Sequence, residues 1–237
     1  MTGKGTVQRP GDRRLVLFGM LWGIVWPAMI GLILYVAAGR WRWPLAWAYL
    51  ALYAAILVAG SFFAVHRDPE FTGERTRAKE GTKTWDRLLS GPLFSPLWLA
   101  LYVVAGLDKR YGSSPALTPI AIGAVVAAGV GYSLAVWAMA SNKFYGRYVR
   151  IQHDRAHTTV TTGPYRFIRH PGYVGICLFM LASALALESL WALIPAGALV
   201  IVLIIRTALE DRTLLAELPG YPEYARQTRF RLLPGVW

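Results

Sequence analysis

Charged residues divide this chain into long apolar stretches. Uncharged runs extend over Leu15–Gly39, Trp43–Val65, Leu88–Leu107, Tyr111–Asn142, Pro171–Leu187 and Ser189–Ile205, of 25, 23, 20, 32, 17 and 17 residues. A helix that crosses a bilayer core needs about 20 apolar residues, so the first four runs can span outright. In the fourth, Pro115 and Pro119 mark a lead-in, leaving Pro119–Met139 as the spanning part. The last two runs reach about 25 Å at 1.5 Å per residue. With only Glu188 between them, they predict a tight helical hairpin whose tip barely reaches the far side. The pattern predicts an all-α polytopic membrane protein with about six transmembrane helices. It is a single membrane domain over 1–237, with four N-terminal spans in 1–140 and a loop, the hairpin and a cytoplasmic cap in 141–237.

Composition agrees. The chain is 55% hydrophobic and 16% charged, against about 25% charged in soluble domains, which excludes a soluble enzyme, a disordered chain and a disulfide-stapled domain. The one cysteine, Cys177, lies in an apolar run and is expected to be a small buried hydrophobe. A net charge of +12 would point to nucleic acid in a soluble protein. Here the charge follows the loops, so no nucleic-acid partner is expected. Lys and Arg number four before the first span, six in each of the connections after the second and fourth, and five after the sixth; the other three connections hold four together. Basic loops stay on the cytoplasmic side, so the count places both termini in the cytoplasm of a multi-pass cell-membrane protein. The apolar stretch behind Lys4, Arg9, Arg13 and Arg14 is too long for a signal peptide, and reads as a retained first span.

Intramembrane acids and bases mark transporters, and the runs carry none, which disfavours an ion-coupled carrier. Chemistry is therefore sought in the segments outside the spans. His157, Tyr165, His170 and Tyr173 cluster around the turn signal Gly163-Pro164 and the helix entry Pro171-Gly172, offering ring faces and polar tips about one concavity. Gly172 and Gly175 admit close approach of a backbone or ligand. Beyond the sixth span, Arg206 and Glu210 stand four apart on one helix face at the lipid–water boundary. The four histidines have no convincing metal-ligand spacing, and no metal is expected.

The pattern His157-x-x-Val160-Thr161-x-Gly163-x-Tyr165, then Arg169-His170-Pro171-x-Tyr173-x-Gly175, then Arg206-x-x-x-Glu210-Asp211 and Gly220-Tyr221-x-x-Tyr224 resembles the isoprenylcysteine carboxyl methyltransferase family. Arg67-Asp68-Pro69-Glu70 and the basic loop after it are similar to its bacterial branch. The resemblance covers Asn142 to the C-terminus. It implies a membrane methyltransferase that uses S-adenosylmethionine, bound on the cytoplasmic side, and a lipophilic acceptor that enters from the bilayer. Its cofactor contacts carry over to His157, Thr158, Thr159, Val160, Tyr165, His170, Pro171, Gly172, Tyr173 and Glu210, with Gln152 nearest to the family's upstream glutamine at a shorter spacing. Its paired glutamates become Glu210-Asp211, and its substrate arginine corresponds to Arg206. A carboxylate acceptor would need a cation such as Arg206 to hold it in register; an amine or thiol would need proton removal by Glu210 or His170. A phospholipid or small-thiol methyltransferase of the same fold, an NADPH-dependent reductase of the sterol type and a non-enzymatic six-span transporter or scaffold are the alternatives.

The charge asymmetry makes topology testable. Reporter fusions after Gly112 and Ser189 should lie outside and one at Trp237 inside; an external C-terminus would mean that one of the short final spans is misassigned.

Overall fold

The computed structural model describes residues 10–67, 80–112, 114–115 and 118–237, and side-chain surroundings within these from residue 19 to 62 and from 80 onward. The basic residues before the first span and the Arg67–Glu70 stretch fall outside that side-chain description. Eight α-helices are described: α1 (Pro10–Ala38), α2 (Pro44–Arg67), α3 (Thr84–Leu88), α4 (Phe94–Tyr111), α5 (Thr118–Ser141), α6 (Pro171–Ala186), α7 (Leu193–Glu217) and α8 (Tyr221–Gln227). A π-helical turn, Leu89–Leu93, fuses α3 to α4, with Pro92 inside it, so Thr84–Tyr111 forms one rod.

Five of these rods, α1, α2, α3–α4, α5 and α7, are long and apolar enough to cross a membrane. The fifth expected span, Pro171–Leu187, is the shorter helix α6 of 16 residues. The protein is polytopic and all-helical among the described residues, with α6 and α7 forming the expected C-terminal hairpin. Its seventh helix differs from the sequence expectation: α7 begins at Leu193, not Ser189, and continues past Ile205 to Glu217. Absence of charge marks where a helix meets hydrocarbon, whereas the backbone hydrogen bonds of α7 run on through Arg206, Glu210 and Asp211.

The helices pack as a ring in which α1 touches α2 and α4, α2 touches α5, α5 touches α6, and α7 closes between α6 and α4. Helix α6 also reaches α2 and α4, and its Phe179 ring lies 4.9 to 6.0 Å from Tyr53, Tyr132, Tyr49 and Trp98. A helix ringed by protein in this way does not have to match the full hydrocarbon thickness. Polar groups inside apolar surroundings need partners: the Tyr49 hydroxyl is 2.9 Å from both the Tyr102 hydroxyl and Ser183 Oγ, and Ser183 donates to the Phe179 carbonyl. Cys177 is half-buried, more open than its apolar run predicts.

At one end of the bundle Lys109 pairs with Glu188, Thr118 donates to Glu188, and Ser189 and Ser114 donate to Asp108. These contacts hold the α6–α7 tip against α4 and α5. At the other end lie the α5–α6 loop, the end of α7 and the C-terminal tail, which together build the site.

Helices α5 and α6 pack backbone against backbone. A Cβ at Gly131 would stand 2.8 Å from both the Gly175 carbonyl and the Phe179 amide, whereas one at Gly123 would meet nothing within 4 Å. Backbone atoms cannot yield as a flexible side chain does. Gly131→Ala should therefore cost about 1–3 kcal/mol and lower the thermal midpoint in detergent, while Gly123→Ala should leave it unchanged or raise it. Equal midpoints for the two variants would contradict this packing.

Candidate active site

The loop from Asn142 to His170 is shaped by its own hydrogen bonds. The Asn142 side-chain carbonyl accepts from the Phe144 amide at 2.8 Å, turning the chain as α5 ends. Gln152 is almost fully buried; its Nε2 donates to the Phe144 carbonyl at 2.7 Å and its Oε1 accepts from Arg155. The His157 ring packs 4.3 Å from the Phe144 ring, and its Nδ1 accepts from the Gln152 amide at 3.3 Å. That bond fixes the neutral tautomer with the proton on Nε2. The turn signal is realised: Gly163–Arg166 forms a short 3-10 turn. Gly172 lets the Tyr145 ring lie against the start of α6, because a Cβ there would stand 2.9 Å from the Tyr145 hydroxyl oxygen.

Asp211 ties this loop to the tail. Its carboxylate is fully buried on α7 and accepts from Tyr221 at 2.8 Å and Arg231 at 2.7 Å, with His170 Nε2 at 3.4 Å. The Arg169 and His170 amides donate to the Phe230 and Arg231 carbonyls, and the Tyr224 hydroxyl to the Tyr165 carbonyl. The neighbouring Glu210 faces the other way and accepts from the Tyr173 hydroxyl. Tyr173 in turn stacks on His170, with ring centroids 5.8 Å apart and planes within 10°.

These elements enclose a cavity of about 850 Å³ including its open mouth. His157, Thr158, Thr159, Val160, Tyr165, His170, Gly172, Tyr173, Arg206 and Glu210 line it together, although the first and last are far apart in sequence. Gln152 and Pro171 stand outside its lining: Gln152 braces the loop behind His157, and the buried Pro171 opens α6.

Three lining or supporting residues were missed by sequence reasoning. Asp86, fully buried on α3, takes Arg206 Nε at 2.7 Å and Nη2 at 3.3 Å, together with the Val149 amide and Ser90 Oγ. Its signal was an acid at the mouth of a span, where acids are rare. Tyr145 forms wall, and nothing in its spacing marked it. Arg169 belongs to the Arg-His-Pro element but was given no role; it is buried, lines the cavity, and its Nε has no hydrogen-bond partner among the described residues, lying 3.4 Å from Asp211 without the alignment of one. Arg206 pairs with Asp86 and not with Glu210 four residues on, its Nη2 also donates to the Arg147 carbonyl at 2.7 Å, and the guanidinium lies 5.2 Å from the Tyr173 ring.

Residues 119–218 match the family described as phospholipid methyltransferase. This is the group of membrane methyltransferases that includes the isoprenylcysteine carboxyl methyltransferases. The match spans α5, the site loop, α6, α7 and the cavity residues from Asn142 to Leu218. The chain is also 44% identical over 75 residues to CzcN, a cobalt-zinc-cadmium resistance protein of Cupriavidus metallidurans; that stretch is 30% of this chain and 34% of the relative, about a third of its length.

Burial and the neighbouring Arg150, His153 and Arg155 push the His157 pKa down from 6.5 to about 4. In the unfolded chain this histidine takes a proton near pH 6.5, while in the fold it stays neutral until about 4. Stability should therefore fall as the pH drops below about 6.5 and stop falling from this source near 4. His157→Gln should flatten that part of the thermal-midpoint profile; parallel profiles for the variant and the parent would show that the ring is not held neutral.

Proposed function

We propose that the protein transfers the methyl group of S-adenosylmethionine to a lipophilic acceptor that reaches the cavity from the bilayer. The observation that carries this reading is the one cavity that brings His157, Tyr165, Arg169, His170, Tyr173 and Glu210 together, with the Arg169 side chain in its wall as a cation for an anionic group such as the cofactor's carboxylate. The remaining donors and faces fit the same molecule. Glu210, the one carboxylate lining the cavity among the described residues, suits its positive end. His170 and Tyr173 present stacked rings, and His157 presents its Nε2 proton. Thr158, Thr159 and Val160 supply rim, with Thr159 held by its bond to the Pro219 carbonyl.

When bound, the cofactor supplies an electrophilic methyl group on a sulfonium. The chain's own task is to align a nucleophile with it and keep water away, which is chiefly a proximity effect. Tyr165, Tyr221 and Tyr224 form the far wall; burial pushes the Tyr165 and Tyr221 hydroxyls well above their ordinary pKa, so all stay protonated and uncharged. No soluble-type Gly-x-Gly-x-x-Gly cofactor loop is needed in such an arrangement.

Two acceptor classes fit the reading. A carboxylate, as in the isoprenylcysteine methyltransferases, would be oriented by Arg206. An amine-bearing phospholipid or a thiol is favoured by a specific observation: the Nε–Nη2 edge of Arg206 is already filled by Asp86, so the cation is matched before an acceptor arrives. Glu210 is then the group placed to take a proton. The reductase alternative is disfavoured by the family match.

Labelled S-adenosylmethionine incubated with the protein and a total lipid extract should yield a labelled lipid, whose identity decides between ester and amine or thioether products. Arg169→Gln and His170→Ala should weaken S-adenosylmethionine binding by about 1–3 kcal/mol in isothermal titration without loss of the folded peak in detergent. Tight NADPH binding with none for S-adenosylmethionine would overturn the reading.

A further inference from the structure

The cavity does not stop at the C-terminal part of the chain. Asp86 is fully buried 120 residues before Arg206, and Ser90 Oγ at 3.0 Å and the Val149 amide at 2.6 Å hold its two oxygens from the π-helical turn and the site loop. The same oxygens take Nε and Nη2 of Arg206. Arg206 is itself only 13% exposed. With Nη2 shared between Asp86 and the Arg147 carbonyl, the guanidinium plane is determined by three segments: α3, the loop and α7. Nη1 is left with no hydrogen-bond partner among the described residues, on a side chain that lines the cavity.

We infer that Asp86 is the positioning residue of the acceptor side of the site: it locks the Arg206 guanidinium so that Nη1, and not the two-pronged edge, meets the acceptor, and it cancels the charge there. This rests on the methyl-transfer reading of the cavity. Physically, a buried arginine without its carboxylate would be costly and mobile, and a guanidinium that swings loses the orientation on which proximity catalysis depends. A bidentate edge closed by Asp86 cannot also clamp a carboxylate by the fork geometry that makes arginine distinct. Arg206 therefore contributes a single directed N–H with little net field, the arrangement expected for an acceptor that is uncharged at its reacting atom or is held through a neutral oxygen.

The test compares Asp86→Asn, Ser90→Ala, Arg206→Lys and the Asp86→Asn/Arg206→Lys double variant in detergent or lipid discs. Four readouts are taken: turnover and KM for the labelled lipid acceptor, S-adenosylmethionine affinity, thermal midpoint, and the rate at which phenylglyoxal labels Arg206 and Arg169, followed by peptide mass spectrometry. Asp86→Asn should lower turnover about tenfold or more with S-adenosylmethionine affinity retained. The double variant should be no worse than Arg206→Lys alone, because both changes remove one coupled unit. Phenylglyoxal should label Arg206 about tenfold faster in Asp86→Asn while Arg169 stays at its parental rate. Ser90→Ala, which removes only one support of Asp86, should show the same signature more weakly, and it decides the question should Asp86→Asn fail to fold. Additive losses in the double variant, or Arg169 and Arg206 opening together, would mean a merely structural role and overturn the inference. If the parent protein methylates no lipid, the methyl-transfer reading fails by itself, and the labelling contrast still decides whether Asp86 holds Arg206.

Discussion

Burial of the Asp211 carboxylate dictates how the rest of the site is built. An ionised carboxylate removed from water must collect partners or become costly, and here they come from three separate segments: His170 with Arg169 at the entry to α6, Tyr221 on α8, and Arg231 in the tail. Satisfying one charge thus brings the loop, the cap and the tail together on α7. The consequence reaches Glu210. Because Asp211 looks toward the tail, the adjacent position on the helix looks toward Tyr173 and the cavity, so two consecutive acids separate into one that closes the cap and one that faces the site. The shorter aspartate at the second position fits this division, since its partners approach it and it has no cavity to span.

The bundle segregates its polar groups by depth. Hydrocarbon tolerates them only when paired, and the interior accordingly contains hydroxyl chains such as Tyr102–Tyr49–Ser183, while the ion pairs sit at the ends. At one end Lys109–Glu188 and the Asp108 cluster pin the hairpin tip. At the other, Lys83–Glu217 and Asp86–Arg206 join α3 to α7. Helix α6, short and glycine-bearing, runs between them with its backbone close to α5. Its N-terminal turn is therefore rigid where His170, Gly172 and Tyr173 meet the cavity.

Much of this was legible in the sequence because charge and aliphatic bulk report directly on the bilayer. The five long rods and the α6–α7 hairpin follow from the uncharged runs, and ten of the twelve expected site residues line one cavity. What escaped has a common cause. The continuation of α7 to Glu217 depends on backbone hydrogen bonding that polar residues do not interrupt. The burial of Gln152 depends on the loop folding back over its own carbonyls. The partner of Arg206 could not be found by helical spacing, because i, i+4 reasoning sees Glu210 on the same helix and is blind to Asp86 on another. Glu210 instead finds Tyr173, whose hydroxyl arrives from α6. Local patterns identify which side chains are chemically equipped; the ring of helices decides which of them meet.

That distinction bears on where the catalytic unit begins. The family match starts at residue 119, and a reading confined to it would contain Arg206, Glu210 and the cofactor-type loop. It would omit the carboxylate that orients Arg206 and receives the Val149 amide of that same loop. Asp86 lies in the first turn of a rod that packs against α1 and α7, so the N-terminal part of the chain reaches the cavity's Arg206 through a buried side chain. A bundle with the same C-terminal half but a different residue at this position would keep the loop and α7 walls of the cavity and leave Arg206 with a different charge balance. On the proposed methyl-transfer reading, acceptor choice can then change with the N-terminal helices while methyl donation stays with the C-terminal ones.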